Sequence, residues 1–210
     1  MKSMSKKELE EIKRKFEGKR LVVLVGERNC GKTTTLFEVA RRLAKDWQPE
    51  CQQCCVDAAF NTFINPDETR SDIRIVLPTD NGEYVYLSSH GDDLRNIENN
   101  LKFLTNSLDH SLHLYLAHEK SLRRIDWKNG LIKYPPTVCV TACSYPQNGK
   151  NRAMAEQMKK ELEFVDENGI WCKKESGIEQ PDGSYDNSQM IEKMVKIIKE
   201  QVEHQKIEVL

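Results

Sequence analysis

The chain has 210 residues, with 32 Lys and Arg set against 33 Asp and Glu and a formal net charge of -1 at pH 7. This balance excludes a global field that would draw in nucleic acid or an anionic membrane, and the length suits one α/β domain with a substantial core. No apolar stretch approaches the roughly 20 residues that span a bilayer, and the charged start lacks the apolar centre of a signal peptide, so a cytoplasmic protein is expected.

Ser5 followed three residues later by Glu8 forms a capping box, and Leu9, Ile12 and Phe16 recur at helical spacing, which predicts a short N-terminal helix. The apolar run Leu21 to Val25 predicts a strand. Directly after it, Gly26 to Thr33 read G-E-R-N-C-G-K-T, and Leu36, Val39, Ala40, Leu43, Ala44 and Trp47 then form a helical stripe that ends before Pro49. A G-x-x-x-x-G-K-[ST] string between a strand and a helix brings backbone N–H groups together at a helix N-terminus, where they can cradle phosphate oxygens. Its glycines allow turns that a Cβ would obstruct. Gly26, Glu27, Arg28, Asn29, Cys30, Gly31, Lys32, Thr33 and Thr34 are therefore the expected nucleotide-contacting set. Lys32 would reach the β- and γ-phosphates, and the Thr33 hydroxyl would join a Mg²⁺ shell. The bland alternative is a Gly-rich strand-to-helix turn with no ligand.

Cys54-Cys55-Val56 is a short apolar run closed by Asp57, followed by a polar stretch that reads as a loop over the site. Ile73 to Leu77 and Glu83 to Ser88 flank Pro78-Thr79-Asp80-Asn81-Gly82, predicting an antiparallel hairpin. From Asp92 or Asp93, the residues Leu94, Ile97, Leu101 and Leu104 return at helical spacing. Residues 107 to 134 fit either element type, because Leu112, Leu114 and Leu116 alternate as in a strand while their neighbours permit a helix. Asn129-Gly130 suggests a further hairpin there, within a possible small insertion at about 107–136. Thr137 to Cys143 predicts a buried parallel strand, followed by a loop and a helix through Phe164, and Ile170-Trp171-Cys172 a last strand. The polar stretch from Lys173 to Asn187 reads as a surface loop. The C-terminal helix carries Met190, Ile191, Met194, Val195, Ile197, Ile198 and Val202 on one broad face, suited to the core or to a partner helix.

Seven cysteines, at 30, 51, 54, 55, 139, 143 and 172, read as free thiols, several inside apolar runs. Cys51-x-x-Cys54 could supply half of a zinc site with Cys139 and Cys143, but that second pair sits in a predicted strand without His neighbours.

A phosphate loop needs a carboxylate near magnesium and a group that places the nucleophile, both at C-terminal strand ends, and Asp57 and Asp92 qualify. On the fingerprint Gly26 to Thr33 and the strand and helix pattern, the chain resembles the P-loop NTPase superfamily. The resemblance implies an α/β fold in one domain spanning 1–210, with a mostly parallel sheet, helices on both faces and one antiparallel hairpin. The hairpin and its glycine look like the switch region of GTPase-type members, which usually carry Asp-x-x-Gly and then a water-orienting residue. Here the string is Ser88-Ser89-His90-Gly91-Asp92. By that resemblance the Gly91 N–H would meet the γ-phosphate, Ser88 would sit near Mg²⁺ or its waters, and Asp92 would act with Lys32 in catalysis by orienting water or an acceptor hydroxyl. Asp92 also suits a helix N-cap. The Asn-Lys-x-Asp base-reading motif of those members is replaced by Thr141-Ala142-Cys143-Ser144-Tyr145, so ATP is expected by default, with GTP left open. The Gly-Asp turn leading into an Asn-rich helix also looks like poorly characterised bacterial and mobile-element ATP-binding proteins.

Thr62 or Thr69 could close over magnesium, and Arg123-Arg124, Lys150 and Arg152 could neutralise phosphate from a lid, although loop threonines and solvated basic turns are ordinary. His90 reads as a hydrogen-bonded neighbour more readily than as a catalyst. Three functions follow. The first is a Mg²⁺-dependent NTPase, using ATP and coupled to movement of residues Asn61 to Leu77 or to a protein partner. The second is a nucleotide or small-molecule kinase, and the third a nucleotide-dependent interaction module with negligible turnover.

Overall fold

The structure, a computed structural model, describes residues 7, 10, 11, 14, 19–27, 30–47, 74–89, 113–118, 121–126, 136–145, 169–173, 178–179, 181 and 185–204. Strand β1 (Arg20–Glu27) lies inside a seven-stranded sheet and is followed by helix α1 (Lys32–Trp47). Next come β2 (Arg74–Pro78) and β3 (Tyr84–Ser88), then β4 (His113–His118), β5 (Ser121–Asp126), β6 (Val138–Tyr145) and β7 (Gly169–Lys173). The sheet order is β5-β4-β2-β3-β6-β1-β7. β1 pairs in parallel with both β6 and β7, and β3 pairs in parallel with β6. A short antiparallel pair, β8 (Ile178–Glu179) and β9 (Tyr185–Asp186), precedes helix α2 (Ser188–His204).

The unbroken apolar character of β1 follows from its place, since a parallel strand flanked on both sides must satisfy two apolar faces. Val22 and Leu24 point one way and join Leu36, Val39, Ala40 and Leu43 of α1, Val85 and Leu87 of β3, and Met194 and Ile198 of α2 in one core cluster. Each large aliphatic side chain fully withdrawn from water there contributes about 1.5–3 kcal/mol. Leu21, Val23, Val76, Tyr86 and Cys139 point to the opposite face and are equally buried. The expectation of helices on both faces is therefore met only in coarser form. Both faces are covered, while the two long helices described lie on the same face, in contact with each other.

The apolar stripe of α2 docks in the core as expected, with Ile191, Met194, Ile198 and Val202 buried against α1 and the sheet. Exposed ion pairs flank the seam, Lys199 with Asp46 at 2.6 Å and Arg42 with Glu192 at 3.8 Å, and such pairs add little stability. Asp186 starts α2 by accepting hydrogen bonds from the Ser188 hydroxyl and from the Ser188 N–H, the latter at 2.8 Å, and the two together, the hydroxyl foremost, hold its carboxyl below the ordinary range. Among the described residues, no helix is long and apolar enough to cross a membrane.

Two expectations need correction. The sheet holds two antiparallel hairpins, β2–β3 and β4–β5, where one was expected in the sheet and a further one only within a small insertion. The second falls in the ambiguous stretch after 107, where strand alternation prevailed, and it closes between His118 and Ser121, while the turn expected at Asn129-Gly130 lies outside the described residues. These strands lengthen the same sheet beyond β2. The polar stretch from 173 to 187 contains β8 and β9, too short for any periodicity to show. Of the N-terminal helix, Lys7, Glu10, Glu11 and Arg14 are helical and exposed. The apolar residues expected to form its packing stripe, the element at 54–56, the helix after Asp92 and the one ending near Phe164 lie outside the described residues.

Candidate phosphate-binding site

The strand order places the end of β1 where a ligand is expected on topological grounds. The chain leaving β1 travels toward the β3 side of the sheet, whereas the chain leaving β6 crosses back over β1 to β7. Adjacent parallel strands whose connections diverge leave a crevice at their carboxyl ends. Gly26 to Thr33 lie at that point.

β1 runs to Glu27, and α1 begins at Lys32. Gly31 makes the reversal possible with a φ of +83°, a left-handed conformation that a Cβ resists. Its carbonyl accepts the first helical hydrogen bond from the Thr35 N–H at 2.9 Å and a second from the Thr35 hydroxyl, also at 2.9 Å. Thr35 is fully buried by this arrangement, whereas Thr33 and Thr34 are half-buried on the same first turn. That turn contains no acidic residue, so the partial positive charge of the helix start is not offset from within it.

Lys32 is only 6% exposed. Its ammonium group turns back over the loop and donates to the Gly26 carbonyl at 3.3 Å. A buried cation requires acceptors, and the Gly26 carbonyl is one of them. A phosphate oxygen entering the loop would be the stronger partner. Cys30, a free thiol, is half-buried beside Gly31.

The companion residues fall less simply. β6 lies between β1 and β3, so the Ser88 to Asp92 string is not on the strand next to the phosphate loop. Ser88 pairs with Thr141, and Thr141 with Val23, three residues before Gly26. Three residues along and two strands across set Ser88 about 14 Å from Gly26, at about 3.3 Å per residue and 4.8 Å per strand. Ser88 is thus two strands away from the loop and not level with it. The residues brought level with Gly26 and Glu27 are Ser144 and Tyr145 at the end of β6. Sequence reasoning singled out that stretch only as the place of a missing motif, because strand order leaves no trace in hydrophobic periodicity.

Arg28, Asn29, Asp57, Gly91 and Asp92 lie outside the described residues, as do Thr62, Thr69, His90, Lys150 and Arg152. Arg123 and Arg124 belong to β5, at the far edge of the sheet. Five strand spacings separate β5 from β1, about 24 Å, too far for a phosphate lid. Cys139 and Cys172 are buried free thiols, and burial pushes the pKa of both above the ordinary 9.0. Among the described residues, no group of three or more His, Cys, Asp or Glu could hold a metal ion.

Comparison of the chain with protein-family models, curated proteins and solved structures found no match.

Proposed function

We propose that the chain binds a nucleoside triphosphate, ATP by preference, together with Mg²⁺ at Gly26 to Thr33, and hydrolyses its γ-phosphate. The observation that supports this most is the Lys32 ammonium, nearly buried and folded over the loop onto Gly26, between the end of a central parallel strand and the first turn of α1. An ammonium held over the loop beside the positive end of a helix gathers donors and charge where a phosphate would sit.

In this reading the N–H groups at the start of α1 hold phosphate oxygens, and Lys32 exchanges the Gly26 carbonyl for β- and γ-phosphate oxygens. Thr33 supplies a hydroxyl to magnesium, a hard-oxygen donor that suits an ion keeping several of its waters. When bound, the ion neutralises charge that builds between the phosphates. Asp57 and Asp92 remain the proposed carboxylates for the ion and the water. Turnover is slow in the isolated chain, because no arginine finger or positioning glutamine is assigned and such groups contribute about 10³- to 10⁵-fold.

Incubation with ATP and Mg²⁺ is expected to release free phosphate with no added acceptor. Phosphate transfer only to a supplied acceptor would point to the kinase reading. Tight ATP binding without product over hours would point to an interaction module.

A further inference from the structure

The sheet face turned away from α1 and α2 carries a polar group that the phosphate loop does not use. Arg74 of β2 pairs with Ser88 of β3, and Ser88 pairs with Thr141 of β6, so the three stand in one cross-strand row. Tyr86, two residues before Ser88, shares that face and is fully buried. Ser88 is also fully buried, and its Oγ has no hydrogen-bond partner. The Arg74 Nε is buried and without a partner too. The Arg74 guanidinium and the Ser88 hydroxyl stand close enough to the Tyr86 oxygen to favour its ionised form. Desolvation outweighs them and keeps the phenol protonated well beyond its ordinary range.

An unpaired buried polar group costs about 1–3 kcal/mol, and more when it is charged. Two such groups side by side on adjacent strands therefore need an explanation. Their chemistry narrows it. The Arg74 Nε–H and the Ser88 O–H are both donors on one face, and a guanidinium matches the planar or tetrahedral oxygens of a carboxylate or phosphate. We propose that Arg74 and Ser88, with Tyr86 beside them, form a binding site for an oxyanion group, carboxylate or phosphate, of a small molecule other than the nucleotide. Ser88 ends β3 and Arg74 begins the antiparallel β2, so the site lies at the same edge of the sheet as the phosphate loop, on the opposite face from α1. This inference stands on the orphaned donors and does not require the nucleotide reading.

The test uses the full chain carrying Lys32→Ala, which removes the main phosphate anchor of the loop. Inorganic phosphate and acetate are titrated separately, with chloride holding ionic strength constant, and the melting temperature is followed. A saturable rise with at least one anion is expected, and the more effective anion identifies the group. Adding Arg74→Gln or Ser88→Ala should weaken the response at least tenfold. Ser88→Ala without anion should melt no lower than its parent, because it deletes an unsatisfied hydroxyl, so it remains informative if Arg74→Gln fails to fold. With Lys32 intact, ATP affinity should be unchanged by Ser88→Ala, which separates this site from the loop. The proposal is overturned if neither anion gives a saturable response, the result expected of a row satisfied by buried water alone. It is overturned equally if the response survives in both double variants.

Discussion

Two turns in this molecule are built around a glycine with the same backbone angle. Gly31 and Gly82 both adopt a φ of +83°, and a threonine hydroxyl organises each turn. At the first, the Thr35 hydroxyl donates to the Gly31 carbonyl at 2.9 Å. At the second, Thr79 Oγ accepts from the Glu83 N–H at 3.0 Å and bonds the Asn81 side chain, while the Gly82 N–H returns to the Thr79 carbonyl at 3.2 Å. The difference is what each turn encloses. Gly82 is exposed and joins two antiparallel strands, and a Cβ placed there would meet nothing within 4 Å. Gly31 joins a parallel strand to a helix and stands beside a buried ammonium. Left-handed glycine geometry therefore does not mark a functional turn by itself; the donors and charge gathered around it do.

The largest separation between the two turns is expected from Lys32→Ala. The loss of a charge-assisted contact of up to about 3 kcal/mol corresponds to about 100-fold weaker ATP binding, with the melting temperature little changed, because the cost of burying the cation is removed along with its contacts. Calorimetric titration checks this, and unchanged ATP affinity would sink the site assignment. Gly31→Ala comes next. Forcing a Cβ into the left-handed region costs about 1–2 kcal/mol, and because the same peptide opens α1, ATP affinity should fall together with stability. If only stability fell, the first turn would resemble the second, and the comparison would collapse.

How much of this was legible in the sequence differs between the same two places. The strand and helix that flank Gly26 to Thr33 were readable because the apolar run before the loop and the helical stripe after it are contiguous and local. The β2–β3 hairpin was readable for a similar local reason, with Asn81-Gly82 placed between two β-compatible runs. Sheet order was not legible, since the insertion of β6 between β1 and β3 depends on contacts between residues more than fifty positions apart. That single fact moves Ser88 away from the loop and brings Ser144 level with Gly26. The β4–β5 hairpin was hidden because alternating leucines with helix-permitting neighbours satisfy both periods. The pairing of Arg74 with Ser88 was invisible in sequence, because Arg74 belongs to no motif, Ser88 was read only within the Ser88 to Asp92 string, and only the register places the two side by side.

Alkaline titration gives the two turns a common reference. Burial holds the Cys139 thiol above its ordinary 9.0 and the Tyr86 phenol above its ordinary 10.0. The unfolded chain releases these protons first, so the stability they represent is fully present below about pH 9 and is lost as pH rises further. The slope is about 1.4 kcal/mol per pH unit for each group that is ionised only when unfolded. Neither group belongs to a turn, so thermal melts from pH 8 to 10.5 should show parallel alkaline losses in the native chain and in both glycine variants. A steeper loss in either variant would show that its turn also controls the packing of the sheet.

The smallest effect, and the one that sharpens the contrast most, is expected from Gly82→Ala. There is space for the methyl group, so the cost is the left-handed backbone alone, about 1 kcal/mol. For a chain of this size that lowers the melting temperature by about 2–4 °C. ATP affinity should not change, because β2 and β3 meet at this turn on the sheet edge opposite to the phosphate loop: β3 begins there and runs parallel to β6 and β1. Ser88 and Arg74, at the other end of the same hairpin, keep their register through the remaining ladder pairs from Ile75 with Leu87 to Pro78 with Tyr84. A change in ATP affinity in Gly82→Ala would therefore require the hairpin to transmit strain along its whole length to the phosphate edge, and the second turn would then be a control element, not a connector.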